Sequence, residues 1–143
     1  MTPVDFNQEH RYLPPSVTNH PGFIDFDMTP YWIEILNRFD VRSSAREIAV
    51  RKGVQVAYTT LLESILFYFA AHIRTAPTMY ATADKELSKA RIETSVIPMF
   101  QQSGFNIFQA ADSDSSRKTG KTQDMLQWEG GGYCVPFGAK NSG

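Results

Sequence analysis

The stretch Glu47-Ile48-Ala49-Val50-Arg51-Lys52-Gly53-Val54-Gln55-Val56-Ala57-Tyr58-Thr59-Thr60 decides how this chain is read. Ile48, Ala49 and Val50 are a short apolar run, long enough for a buried strand. Lys52 and Gly53 open a small-residue loop, and Thr59 and Thr60 start a long apolar helix. Strand, loop, hydroxyl and helix in that order is the layout of a phosphate-binding loop. Backbone N–H groups and a helix N-terminus face an anion, a lysine neutralises phosphate charge, and a threonine hydroxyl can ligate magnesium. The usual pattern places Lys directly before Ser or Thr, whereas Lys52 stands at the front of this loop. The same residues also read as a plain strand-to-helix turn with a threonine cap.

Lys52-Gly53-Val54-Gln55-Val56-Ala57-Tyr58-Thr59 resembles the deviant Walker A loop of the lambda-like (GpA-type) phage terminase large subunit family. In that family the lysine comes first and the loop closes on Val-Gly, one more residue, and Ser or Thr. Ala57 stands here where the family usually has glycine, and Gln55 where some members have arginine. The resemblance implies an α/β fold: a P-loop NTPase-like parallel sheet flanked by helices. It implies ATP and Mg2+ as cofactors. It assigns nucleotide binding to Lys52, Gly53, Val54, Gln55, Val56, Ala57, Tyr58, Thr59 and Thr60, with Thr59 on the metal. The triplet Thr29-Pro30-Tyr31 before the next helix resembles the family segment that helps form the adenine pocket, which makes Tyr31 the candidate to stack on the base. The alternative for Tyr31 is an anchor of its helix to its own core.

Other segments resemble the family in the same order. They are Leu13-Pro14-Pro15 with His20-Pro21-Gly22-Phe23, the Ala83-Asp84 turn, Arg91 through Pro98-Met99, and a glycine hairpin followed by Gly138-Ala139-Lys140-Asn141-Ser142. Arg91 reads either as a contact to phosphate or DNA or as a solvated ion-pair partner. The implied whole is an ATP-driven motor that packages viral double-stranded DNA and cuts it with an endonuclease domain. Its implied partners are double-stranded DNA, a small terminase subunit and a portal protein. Its implied place is the host cell cytoplasm, and no membrane is involved.

An ATPase of this kind also needs an apolar strand ending in Asp-Glu, for magnesium and for orienting water. Phe23-Ile24-Asp25-Phe26-Asp27 is the nearest approach, but it precedes the loop. The expectation is therefore an ATPase domain truncated before that Walker B strand, without the nuclease and inactive in turnover. An alternative is a non-catalytic remnant that binds nucleotide, DNA or protein. A helicase piece is disfavoured, because helicases normally keep the standard loop.

The chain has 143 residues, 42% of them hydrophobic and 13% aromatic, enough for one domain with a real core. A formal charge of −1 leaves no global basic footprint for DNA. The single cysteine, Cys134, excludes a disulfide framework and fits a reducing compartment. His10, His20 and His72 have no metal-ligand spacing. The start lacks the basic and apolar regions of a signal peptide, and the apolar run Ile65 to Ala71 is too short for a membrane span.

Residues 1–22, rich in proline and polar side chains, read as an extended surface arm, with residues 23–143 as the partial ATPase domain. Helices are expected from Thr29-Pro30 onward with Trp32, Ile35, Leu36 and Phe39 inward, and from about Thr59 to His72. A third is expected from Asp84 to Ile97, with Leu87, Ala90, Thr94 and Ile97 inward and Pro98 ending or kinking it. A strand is expected at Thr78–Thr82 and a hairpin over residues 123–137. Ala110 to Lys121 reads as a mobile polar loop. It includes the decoy Gly120-Lys121-Thr122, and its Asp112 and Asp114 read as solvated carboxylates.

Overall fold

The computed structural model describes residues 1–15, 18–105, 107–109 and 125–139. The chain forms two compact units, Met1–Tyr68 and Phe69–Gly143.

The first unit begins with a helix where an extended arm is expected. Helix α1, Pro3–His10, is capped by Thr2, whose hydroxyl accepts from the Asp5 amide at 3.2 Å and donates to the Asp5 carboxylate at 2.7 Å. Pro3 sits at the first helical turn, where its missing N–H costs nothing. The Val4 amide, another orphan donor of that turn, is taken by the Asn37 side chain at 3.1 Å. Val4, Phe6 and Asn7 are buried. Strands β1 (Tyr12–Leu13) and β2 (Gly22–Phe23) pair antiparallel. A 3₁₀ turn at Phe26–Met28 leads into α2, Tyr31–Asn37, whose Trp32 and Leu36 are buried as expected. Its N-cap is Pro30, without a side-chain cap.

Helix α3, Tyr58–Phe67, continues as a π-helical turn through Ile73. Val4, Ile24, Phe26, Trp32, Leu36 and Leu61 form the core of the first unit, with Val50 and Val56 packed at its margin. The strand expected at Ile48–Val50 is absent: these residues have no regular structure. Three residues with Ala49 exposed offer little to a sheet, and Val50 is instead used as a peg in the helical core.

The second unit holds a four-stranded sheet in the order β3-β6-β5-β4: Pro77–Thr82, Tyr133–Gly138, Leu126–Trp128 and Ile107–Gln109. Only β3 and β6 are parallel; β5 runs antiparallel to both neighbours. The class is thus α/β as expected, but the sheet is mixed rather than parallel. The expected hairpin is β5–β6, turned through left-handed Gly130 and Gly131.

Asp84 caps α4, Lys85–Arg91, by accepting from the Glu86 amide at 2.8 Å. The expected inward face is rotated by one position. Ser88, Ile92, Val96, Met99 and Phe100 are buried, whereas Leu87, Ala90 and Thr94 are exposed. The Ser88 hydroxyl accounts for this, because it donates to the Phe137 carbonyl at 2.7 Å and turns a polar residue inward. Pro98 does not end the helix. A π-helical turn, Ile92–Val96, in which the Ile97 amide bonds to the Ile92 carbonyl, widens the backbone before α5, Ile97–Gln102. That widening makes room for the pyrrolidine ring. The polar loop with Asp112, Asp114 and Gly120-Lys121-Thr122, and the closing Lys140-Asn141-Ser142, lie outside the described residues.

Candidate nucleotide site

The loop from Arg51 to Ala57 leaves the core of the first unit at Val50 and returns to it at Val56 and Tyr58. Between these pegs it is solvent-exposed, and Val54 at the tip is 88% exposed. No apolar demand shapes that tip, so backbone conformation and polar contacts must.

Two residues of the loop adopt left-handed backbone, Gln55 at φ 54° and Ala57 at φ 56°. Gly53 does not, and a Cβ there meets nothing within 4 Å. The glycine therefore stands where the backbone does not need it, and side chains stand where it does. Each left-handed non-glycine residue costs about 1–2 kcal/mol. Val56, between them, is held from two sides. Its carbonyl accepts the buried Trp32 indole N–H at 2.6 Å, and its side chain rests on the core. The Tyr31 hydroxyl reaches the same carbonyl at 3.5 Å. Tyr31 and Trp32 pack edge to face, with ring centroids 5.2 Å apart. Tyr31 is itself 52% exposed, so a ring face beside the loop remains open to solvent.

Ala57 is the N-cap of α3 and makes no side-chain cap. The Leu61 amide bonds back to the Ala57 carbonyl at 3.1 Å, but the amides ahead of it have no capping side chain. A ten-residue helix with an uncapped start presents N–H groups and the positive end of its dipole. Thr59 and Thr60 lie in this turn, half-buried. The expected threonine cap is thus replaced by an alanine one.

Lys52 folds over this helix start. Its Nζ lies 5.0 Å from the centre of the Tyr58 ring and donates to the Gly53 carbonyl at 3.2 Å. Among the described residues it has no carboxylate partner. The residues expected to act together, Lys52 to Thr60 and Tyr31, are neighbours in the first unit. The preceding strand is the part of the motif that is not there.

Composition and spacing gave no warning of what lies behind the loop. Arg11, the residue after α1, is fully buried. Its guanidinium donates to the Thr60 carbonyl at 2.9 Å, to the Ser64 hydroxyl, and to the Glu63 carboxylate at 3.1 Å. Burial pulls its pKa down to about 10, partly offset by Glu63, so it stays a cation at neutral pH. The Ser64 hydroxyl also donates to the Thr60 carbonyl, at 2.7 Å, and Asn7 donates to the Ser64 carbonyl at 3.0 Å. The one available signal was Thr2-Pro3 with Asp5, a helix start that would have placed Arg11 at a helix end.

The chemistry on offer is anion binding. It combines free amides at a helix start, an ammonium without a carboxylate partner, and two hydroxyls in the first turn. That set fits a phosphate chain and its magnesium. Among known proteins, the family model of the ATPase domain of the phage terminase large subunit gpA matches residues 18–142. No curated protein and no solved structure matches the chain significantly.

Proposed function

Because this chain belongs to the ATPase-domain family of the phage terminase large subunit gpA, we propose that its loop Lys52 to Thr60 binds the phosphates of ATP with Mg2+. The observation that carries the proposal is an uncapped N-terminus of α3 with Lys52, free of any described carboxylate, folded over it. Lys52 neutralises β- and γ-phosphate charge, and the amides from Gly53 to Tyr58 cradle the phosphates. Thr59 gives its hydroxyl to Mg2+, with Thr60 as a second hydroxyl. The exposed ring of Tyr31, beside Val56, stacks on adenine. Bound Mg2+–ATP supplies the phosphoryl group whose transfer to water drives a packaging motor. This chain's own residues bind it, orient it and balance its charge.

In that role the chain serves the packaging and cutting of viral double-stranded DNA, with a small terminase subunit and a portal protein as partners, in the host cytoplasm. No helix among the described residues is long and apolar enough to cross a membrane. A second reading, a binding module without turnover, is favoured by one observation. Gln55 and Ala57 place side chains at the two left-handed positions, where a glycine would let phosphate approach the backbone more closely.

The test is calorimetric titration of the chain with Mg2+–ATP beside Lys52→Ala at equal concentration. Saturable binding that falls at least about tenfold in the variant is expected, since a charge-assisted phosphate contact contributes roughly 1.5–3 kcal/mol. No binding by a folded wild-type chain refutes the site.

A further inference from the structure

The buried cluster of Arg11, Glu63, Ser64 and Asn7 is weak evidence for stability by itself. Buried ion pairs are often matched or exceeded in stability by apolar residues of similar volume. What the cluster does is specific in geometry. Arg11 and the Ser64 hydroxyl both donate to one acceptor, the carbonyl of Thr60. That carbonyl and the Leu61 N–H belong to the same peptide plane. The Leu61 N–H in turn bonds to the Ala57 carbonyl, the residue whose left-handed backbone turns the loop into α3. One rigid plane thus has the guanidinium on one side and the loop's last residue on the other.

We propose that Arg11 is a positioning residue for the phosphate loop: by holding the Thr60 carbonyl it sets the first turn of α3, and with it the amides and hydroxyls that meet phosphate and magnesium. The inference rests on the reading of that loop as the nucleotide site. Arginine suits the task because its planar fork reaches Thr60, Ser64 and Glu63 together, and Glu63 neutralises it in place. Helix α1, which ends one residue before Arg11, thereby becomes a support of the site rather than an arm. Asn7 reinforces the same join one turn further along α3, through the Ser64 carbonyl.

The test compares wild type, Lys52→Ala, Arg11→Lys and the double variant Arg11→Met/Glu63→Met as full chains. Removing both charges avoids leaving either one buried alone. Urea melts establish that each is folded, and Mg2+–ATP titration and amide hydrogen exchange are the readouts. The expected result is a folded double variant whose Mg2+–ATP affinity falls by about tenfold, the scale of supporting contacts behind a ligand group. The Leu61 amide should exchange faster, while amides later in α3 keep their protection. Arg11→Lys, with three donors on a flexible stem, should fall between the two. Wild-type affinity in the double variant, or in Arg11→Lys if the double variant does not fold, overturns the role of Arg11 and leaves the site standing. Absence of Mg2+–ATP binding by wild type itself, or by wild type and Lys52→Ala alike, overturns both.

Discussion

Moving the loop's glycine from position 53 to position 57 should stabilise the protein. Ala57 pays for a left-handed φ of 56°, while Gly53 stands in ordinary backbone with open space around its Cβ position. Ala57→Gly alone relieves about 1–2 kcal/mol of backbone strain but gives the unfolded chain more freedom, about 0.4–1 kcal/mol. The net gain is about 0.5–1 kcal/mol. The double variant Gly53→Ala/Ala57→Gly keeps the composition, so the unfolded-chain contributions cancel. Its gain should be the strain itself, about 1–2 kcal/mol. With a urea m-value of about 1–2 kcal/mol/M, the midpoint rises by about 1 M. Intrinsic fluorescence of Trp32 reads this directly, because its indole N–H holds Val56 beside the substituted residue. Trp128→Phe in the background removes the other tryptophan of the chain. Ala57→Gly less stable than wild type refutes the left-handed backbone at Ala57, and a double variant no more stable than Ala57→Gly refutes the ordinary, open backbone at Gly53.

Gly138→Ala tests the second unit, where an added Cβ would fall on the Lys85 amide nitrogen and lie 2.7 Å from the Asp84 carbonyl carbon. Backbone cannot give way there as a side chain could, so a loss of more than about 2 kcal/mol is expected in a urea melt followed by Trp128 fluorescence; a loss under about 0.5 kcal/mol refutes the close approach. Asp40 tests pH dependence: its carboxylate accepts from Arg42 at 2.6 and 2.9 Å, which holds its pKa well below the usual carboxylate range. A depressed folded pKa means stability that is full above the unfolded value, about 3.9, and lost as pH falls through the folded one. The stability difference between wild type and Arg42→Ala should thus be present at neutral pH and shrink below about pH 4. A difference that persists unchanged in acid denies the pair its role.

Much of the fold was legible because its signals are local. The spacing of Trp32 and Leu36, the apolar run of α3, the helix start at Asp84 and the glycine hairpin all follow from period and turn chemistry. What was not legible depends on contacts distant in sequence. Proline content suggested an arm at the N-terminus, but Pro3 is a helix starter there, and Asn37 completes the cap from 33 residues away. The face of α4 follows from Ser88 reaching the Phe137 carbonyl, 49 residues on. In the proposed site, Lys52, Thr59 and Tyr31 could be nominated from sequence, because the chemistry they offer belongs to each alone. Arg11 could not, because its meaning lies wholly in Thr60 and Glu63, about fifty positions later.

The loop also shows how a left-handed turn can be held at residues that do not favour it. A glycine at position 57 would adopt the left-handed turn at little cost, so the turn would come from the loop's own sequence. With alanine there, and glutamine left-handed at position 55, the two strained residues add about 2–4 kcal/mol that the surroundings must offset. The surroundings do so at the residue between them. Val56 is fixed through its carbonyl by Trp32 and through its side chain by the core, and Ala57 is fixed through its own carbonyl by Leu61. The conformation is therefore imposed from α2 and α3 rather than by the loop. It follows that Trp32→Phe, which keeps an aromatic ring of smaller size and removes the indole donor, should perturb the loop more than any substitution at the exposed tip. Faster hydrogen exchange at Ala57 and Tyr58 in Trp32→Phe, with the Val54→Ala loop unchanged, is the expected outcome. Equal effects from both would place control of the turn back in the loop.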